Sequence, residues 1–422
     1  MDAYKFLLDL ALILLSTKLL GLLTKRFYMP QVVGALLAGL LLGPACLNLI
    51  TQTDFIKESA EVGVIILMFC AGLETDVQEL KRSGKASFII ALLGVIVPLI
   101  GGYFVGIYFI QPGRIESDAM STATLQSIFI GVILTATSVS ISVETLKELG
   151  KLKTRSGSAI LGAAIIDDII GIVALTIITS MADSSVNIAV VLLKIVAFFV
   201  FAAVAGYFFF KFYNAWYERS GKGMHRHAIV AFAFCLIMSY VAEKYFGVAD
   251  ITGAFIAGLI ISMTQKTKFL ASKFDVLSYL YLSPIFFASI GLEVDLPNMN
   301  GTVIAFAVVL VLVAVLSKII GCGIGAKLCR YKNYQAIRIG VGMISRGEVA
   351  LIVASKGESL GLLSSSCLGP VVLVVVITTI ITPILLKPVF KLGPAPAEIT
   401  EEHKLADNFE QMEGYREGSP KS

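Results

Sequence analysis

The sequence predicts an all-α polytopic membrane protein of about thirteen transmembrane helices, built from two inverted repeats that each contain an interrupted helix. Three observations carry that prediction. Hydrophobic residues make up 57% of the 422 and charged residues 15%, with a mean hydropathy of +0.86; a soluble domain carries nearer a quarter charged residues. Long apolar runs recur from end to end, bounded by charge, proline or glycine. Short patterns in the first half return 219 residues later.

The apolar runs lie near 4–23, 30–50, 58–73, 86–110, 121–144, 156–181, 187–210, 227–246, 249–264, 270–291, 301–326, 335–356 and 366–390. The first is too long for the apolar core of a signal peptide and lacks a small-residue cleavage site, so it reads as a retained helix. Lys and Arg sort by loop. The odd-numbered loops hold twenty, whereas the even-numbered loops hold four: Lys57, Arg114, Lys244 and Lys356. The positive-inside rule then places the odd loops in the cytoplasm, the N-terminus outside and the C-terminus inside. A missed or invented helix would scramble the alternation. The six cysteines are scattered with no C-x-x-C pair, so neither a disulfide framework nor a zinc site is expected. The basic loops follow the membrane rule, and no nucleic-acid partner is expected.

The repeat is read from small residues. Gly34, Ala38 and Gly39 of the second run recur as Gly253, Ala257 and Gly258 of the ninth; Gly72, Leu73 and Glu74 recur as Gly291, Leu292 and Glu293. The second and ninth runs are an odd number of crossings apart, so the repeats face opposite ways. That is an architecture of secondary transporters, whose sites lie near the midplane at discontinuous helices. Two interruptions are predicted. Thr135, Thr137, Ser138 and Ser140 crowd the fifth run, and Ser345-Arg346-Gly347-Glu348 puts charges and a glycine at depth in the twelfth. Each precedes a Leu-Gly pair, Leu149-Gly150 and Leu360-Gly361, at an offset of 211. Unwound backbone there frees carbonyls that can coordinate a cation.

Asp167 and Asp168 lie side by side in the sixth run, the only ionisable residues between Arg155 and Asp183. One Asp at a helix centre costs roughly 2.5–3.5 kcal/mol on insertion scales, and two neighbours also repel. A chain carries such a penalty for an ion or proton path. Lys318 is similarly deep in the eleventh run, and contact with one aspartate is the economical arrangement. Arg346 and Glu348 are expected to offset the partial charges of facing half-helix ends. A carboxylate held at low dielectric beside a second can carry either a proton or a small hard cation, each excluding the other. Sodium or lithium needs several oxygens, and Asp168, Asp167, Thr137, Ser138 and Thr135 are the candidate ligands. If the loaded site opens alternately to the two sides, obligate exchange of cation for protons follows. No catalytic chemistry and no cofactor are expected.

The stretch from Thr137-Ser138 through Glu148-Leu149-Gly150 to Asp167-Asp168, with Lys318 and Arg346-Gly347-Glu348, resembles bacterial sodium/proton antiporters. More narrowly it is similar to the monovalent cation:proton antiporter-2 family in its Thermus-type, paired-aspartate form, over residues 1–392. The resemblance implies a homodimer in the bacterial inner membrane. An outer domain (about 1–50 and 227–264) would anchor in the bilayer while a core domain (about 58–181 and 270–392) moves like an elevator, joined by a linker helix near 187–210. It implies that Asp168 carries the ion, that Asp167 partners Lys318, and that exchange is electrogenic. Residues 393–422 carry seven acidic and three basic residues and are expected to form a short disordered cytoplasmic tail. Potassium-efflux relatives usually carry a nucleotide-binding domain there, so potassium/proton exchange or efflux ranks second. A cation channel or sensor ranks third.

Overall fold

The computed structural model describes residues 4–26, 29–75, 77–111, 114–115, 118–182, 188–219, 224–264, 267–294 and 300–393; the predicted tail, from residue 394 on, lies outside the described residues. Among them every regular element is helical. The chain begins with α1 (Lys5–Arg26), α2 (Gln31–Leu42), α3 (Asp54–Glu74) and α4 (Val77–Phe109). The fifth predicted run is split into α5 (Ala123–Thr135) and α6 (Val139–Glu148). Then come α7 (Arg155–Ala182), α8 (Ile188–Arg219) and α9 (Met224–Val241), the last continuing as a π turn to Phe246. The second half holds α10 (Asp250–Ser262), α11 (Thr267–Leu277), a π turn, α12 (Ser283–Leu292) and α13 (Gly301–Leu328). It closes with α14 (Asn333–Gly342), α15 (Glu348–Ser359) and α16 (Leu368–Lys391). Side-chain caps set several starts: Thr53, Thr122 and Asn300 each accept from a backbone N–H three residues on.

Every predicted run overlaps a helix, but several ends differ. The run predicted over 30–50 stops being helical at Leu42, because Gly43 is extended and Pro44 follows it. Apolar Leu47, Leu49 and Ile50 belong to the connection instead. Conversely, α4 starts nine residues before its apolar run, and α8 continues nine past its own; polar residues outside the hydrocarbon extend a helix at no solvation cost. Nine stretches among the described residues are long and apolar enough to cross a bilayer. The shortfall from thirteen has identifiable causes. At 12 and 13 residues, α2 and α10 are short, α3 begins with charged turns, and α14–α15 is broken.

The repeat is visible in the packing. Gly39 of α2 lies so close to α12 that an added Cβ would sit 2.0 Å from Ala288 O, and one on Gly291 would sit 2.4 Å from Leu40 N. The counterpart crossing joins α10 to α3: a Cβ on Gly258 would be 2.3 Å from Phe69 O, and one on Gly72 2.3 Å from Phe255 O. Each repeat therefore seats its first helix on the second helix of the other, with backbones in contact, as small-residue membrane crossings do. Those crossings tie α3 to α10 and α12 to α2, which groups α3, α11 and α12 with α1, α2, α9 and α10. The remaining helices gather around α4, which packs on α5, α7 and α13, while α13 also meets α14 and α16.

The glycine crossings generate a stability prediction. Gly258→Val and Gly39→Val should each destabilise the detergent-solubilised protein by about 1–3 kcal/mol or more, since neither facing backbone can retreat. Gly171→Ala, where a Cβ meets nothing within 4 Å, should leave the midpoint of thermal unfolding in place. Equal midpoints for all three variants would remove the crossings from the account of stability.

Candidate functional site at the crossed helix breaks

The two interruptions touch each other. Between α5 and α6, Ala136 and Ser138 adopt extended conformations, and between α14 and α15 the chain from Met343 to Gly347 is non-helical. Ser138 donates its backbone N–H to Ser345 O at 2.8 Å, and Ser345 Oγ donates back to Ser138 O at 2.9 Å. Ser142 Oγ donates to Gly342 O at 2.6 Å and lies 2.8 Å from Ser345 Oγ. Gly347 belongs here for lack of room, because a Cβ would come within 2.9 Å of Ser138 Oγ. All four serines and Arg346 are buried, counting Ser140, whose Oγ is 3.1 Å from Ser138 Oγ.

Arg346 occupies the acceptor-rich side of the crossing. Its guanidinium donates to Leu134 O at 2.8 Å in the last turn of α5, to Ile344 O at 2.7 Å just past α14, and to Ala314 O at 3.0 Å in α13. These groups carry the negative ends of two half-helices, where a cation is favoured. The side chain is fully buried, and Thr379 of α16 fixes the backbone by donating its hydroxyl to Arg346 O. The Nε–H has no hydrogen-bond partner among the described residues. Glu348 opens α15, and its side chain lies outside the described residues.

The aspartate pair sits on α7, and Asp167 faces this crossing. Lys318 of α13 donates to both oxygens of Asp167, at 3.0 and 3.1 Å, and both side chains are shut off from solvent. A Cβ on Gly94 of α4 would come 3.8 Å from Asp167 Oδ1 and from Lys318 Nζ, and only 2.6 Å from Cys322 Sγ. The pair is thus enclosed where α4, α7 and α13 meet. Adjacent residues on a helix point about 100° apart, so Asp168 looks another way, and it is half-buried rather than sealed. Thr137 Oγ1 is buried and approaches the Asp167 carboxylate without closing a hydrogen bond of ordinary geometry. Thr135 turns back on its own helix, donating to Val132 O at 2.7 Å.

The structure therefore brings Asp167, Lys318, Thr137, Ser138 and Arg346 together, with Asp168 on the next face of α7 and Thr135 committed to α5. Ser142 and Thr379 belong to the same assembly and were not singled out from the sequence, whereas Ser345 was read there only as part of the second break. Ser138, Ser140 and Ser142 alternate through the break, and that spacing was the available signal for Ser142. A further set of polar contacts lies near the C-terminal end of α6. Glu148 accepts from the backbone N–H of Gln31 at 2.6 and 2.8 Å, capping α2. Beside it, Lys147 pairs with Glu74 at 3.3 Å and with Asp275.

Known proteins of the same build carry comparable names. A family described as sodium/hydrogen exchanger, transmembrane, matches residues 11–392. The chain is 40% identical over 390 residues to the Na(+)/H(+)-K(+) antiporter GerN of Bacillus cereus, covering 92% of this chain and 97% of that one. It is 37% identical over 387 residues to a Na(+)/H(+) antiporter of Enterococcus hirae, covering 91% and 97%. The solved structure of the sodium proton antiporter MjNhaP1 from Methanocaldococcus jannaschii at pH 8 overlays with a TM-score of 0.66 at 17% identity, covering 93% of this chain and 98% of that one; that likeness speaks for the fold. On the family match and on identity along nearly its whole length, the chain belongs to the sodium/hydrogen exchanger family.

Proposed function

We propose that the protein exchanges sodium or lithium for protons across the membrane by alternating access. One observation carries the reading beyond family membership: two adjacent carboxylates stand in unequal settings at a crossing of broken helices, one sealed on a lysine and one half-buried. Asp168 is the ion carrier. Thr137 Oγ1, backbone carbonyls of the breaks and water complete the oxygen shell that a small hard cation requires. Asp167 holds Lys318 when the site lacks the cation and turns toward the ion when it arrives. Proton and cation compete for the same oxygens, so each excludes the other, and the pair titrates as one coupled group. No step makes or breaks a covalent bond.

The paired aspartates support placement in the antiporter-2 branch and electrogenic exchange. The loop charges support thirteen crossings, an external N-terminus and an internal C-terminus in a bacterial inner membrane. The packing supports an outer unit of α1–α3 and α9–α12, a core of α4–α7 and α13–α16, and α8 as linker. The outward row of Leu7, Leu8, Leu15, Leu19 and Leu22 on α1 supports a homodimer through the outer unit. A second reading, exchange of potassium, is favoured by the name of the Bacillus relative, which includes that ion.

Purified protein in vesicles that hold a proton gradient separates these readings. Sodium or lithium, added in turn, should dissipate the gradient as read by a pH-sensitive dye. Dissipation by potassium alone would replace the cation assignment, and cation flux with no proton counterflow would replace exchange with a channel. The sodium concentration giving half-maximal exchange should rise as pH falls, because protons occupy the carrier. Asp168→Asn should reduce exchange to the level of empty vesicles; near-normal exchange in that variant would sink the assignment of the carrier.

The Asp167–Lys318 pair has its own test. Lys318→Gln strands a buried carboxylate and should destabilise the protein by about 3–5 kcal/mol. Combining it with Asp167→Asn should cost clearly less than the two single changes added together, since neither charge is then left alone. Strict additivity in chemical unfolding would show that the contact does not couple the two residues.

A further inference from the structure

A cavity of about 550 Å³ opens between α4 and α7 on one side and α8 and α10 on the other. Its walls are apolar apart from Ser87 and Tyr207. On α7 it is lined by Ile165 and Ile166, the residues that directly precede the aspartates. On α8 it runs from Phe199 to Phe210, a helix length of about 16 Å, or roughly half of a 30 Å hydrocarbon core. The crevice is therefore about one leaflet deep. It runs toward the ends of α4, α8 and α10 that join the basic loops.

Charge and an unsatisfied donor mark that end. Leu80 and Gly84 of α4 line the crevice, and Lys81 and Lys85 follow them, both exposed. Lys211 continues the lining face of α8 one turn beyond Tyr207 and is also exposed. Among the described residues, none of these three lysines forms an ion pair. Just deeper on α4, Ser87 is 1% exposed, lines the cavity, and its hydroxyl has no hydrogen-bond partner among the described residues. Ser87 lies about 3 Å along the helix from Lys85 and about 9 Å from Lys81. Polar atoms of a diacyl phospholipid follow the same order, with the phosphate at the surface, the ester carbonyls below it, and then the chain.

We propose that this crevice is a binding site for an anionic diacyl phospholipid. Its phosphate lies among Lys81, Lys85 and Lys211, an ester carbonyl accepts from Ser87 Oγ, and one acyl chain runs along α8 to Ile165 and Ile166. The site lies between α7, which carries the aspartates, with α4 beside it, and α10 of the outer unit, with α8 beside it. The occupant would thus fill the space across which the two units face each other. The inference concerns binding and stands independently of cation exchange.

Photolabelling of the full chain in mixed micelles tests it. The probe is a phosphatidylglycerol with a diazirine midway along one chain, compared with a phosphatidylcholine bearing the same label. The glycerol lipid should place adducts on the α7 peptide containing Ile165 and Ile166 and on α8 between Phe199 and Phe210. Replacing Lys81, Lys85 and Lys211 together by Gln should reduce that yield about tenfold, and these exposed sites leave folding intact. Ala203→Phe, which fills the crevice, should remove the label for both lipids. Equal labelling by the two headgroups with no response to the lysine changes would overturn the proposal. So would adducts confined to outward faces such as the α1 leucines.

Discussion

Two helices stop where a bilayer supplies no water, and everything at the site follows from how their broken backbones are satisfied. An uninterrupted helix pairs its own carbonyls; a half-helix leaves several exposed, each costly in hydrocarbon. Here the breaks answer one another. Ser138 and Ser345 exchange hydrogen bonds in both directions, Ser142 takes Gly342 O, and Arg346 takes carbonyls from α5, from its own break and from α13. A guanidinium suits this task because its five donors spread over a plane and its charge opposes the negative helix ends. With those acceptors engaged, the extended segment is held in place, and Thr137 is presented to α7.

The charges then settle into unequal roles. A buried ion pair is a poor source of stability, but removing either member is expensive, so Asp167 and Lys318 hold each other in place. Gly94 lets α4 close over them. Asp168 shares no such enclosure. Counting Arg346, the assembly holds two cations and two carboxylates among the described side chains. With both carboxylates ionised it is close to neutral, and an arriving cation raises it by one unit. At low dielectric that excess is disfavoured, and it is avoided when the carboxylate that takes the cation starts protonated and gives up its proton as the cation enters. In the proposed cycle, coupling between cation and proton is thus a property of the charge count in a closed space, with no dedicated relay.

Much of this was legible from residue order, and the limits have physical causes. Hydropathy locates apolar runs because lipid burial depends on side chains one at a time. It does not locate helix ends, which depend on backbone, and so Gly43-Pro44 ended α2 well before its apolar run did. Asp167, Asp168, Lys318 and Arg346 stood out because ionisable groups are rare at such depth. Ser142 and Thr379 did not, since hydroxyls are ordinary in membrane helices and a partner in another helix leaves no trace in local sequence. The 219-residue offset showed that a repeat exists, yet it could not say which copy's helices touch. That required seeing Gly39 on α12 and Gly258 on α3, crossings that support the boundary proposed between the two units.

That boundary differs in chemistry from the crossings on either side of it. Within the outer unit, α2 meets α12 and α3 meets α10 backbone against backbone, and such contacts cannot slide without a clash at every turn. Across the boundary, α6 reaches α2, α3 and α11 through Glu148 on the Gln31 N–H and through Lys147 on Glu74 and Asp275. These are partly exposed, charge-assisted contacts that water can replace at small net cost. Where α4 and α7 face α8 and α10, it opens into an apolar crevice. A relative movement of the two units therefore meets least resistance along this surface. It would carry α4, α7, α13 and both breaks as one body, because the Asp167–Lys318 pair, Arg346 and the reciprocal serine bonds all lie on the same side of it. In the proposed exchange the site would change the side it faces without being taken apart, and the polar contacts of α6 would be remade on each passage.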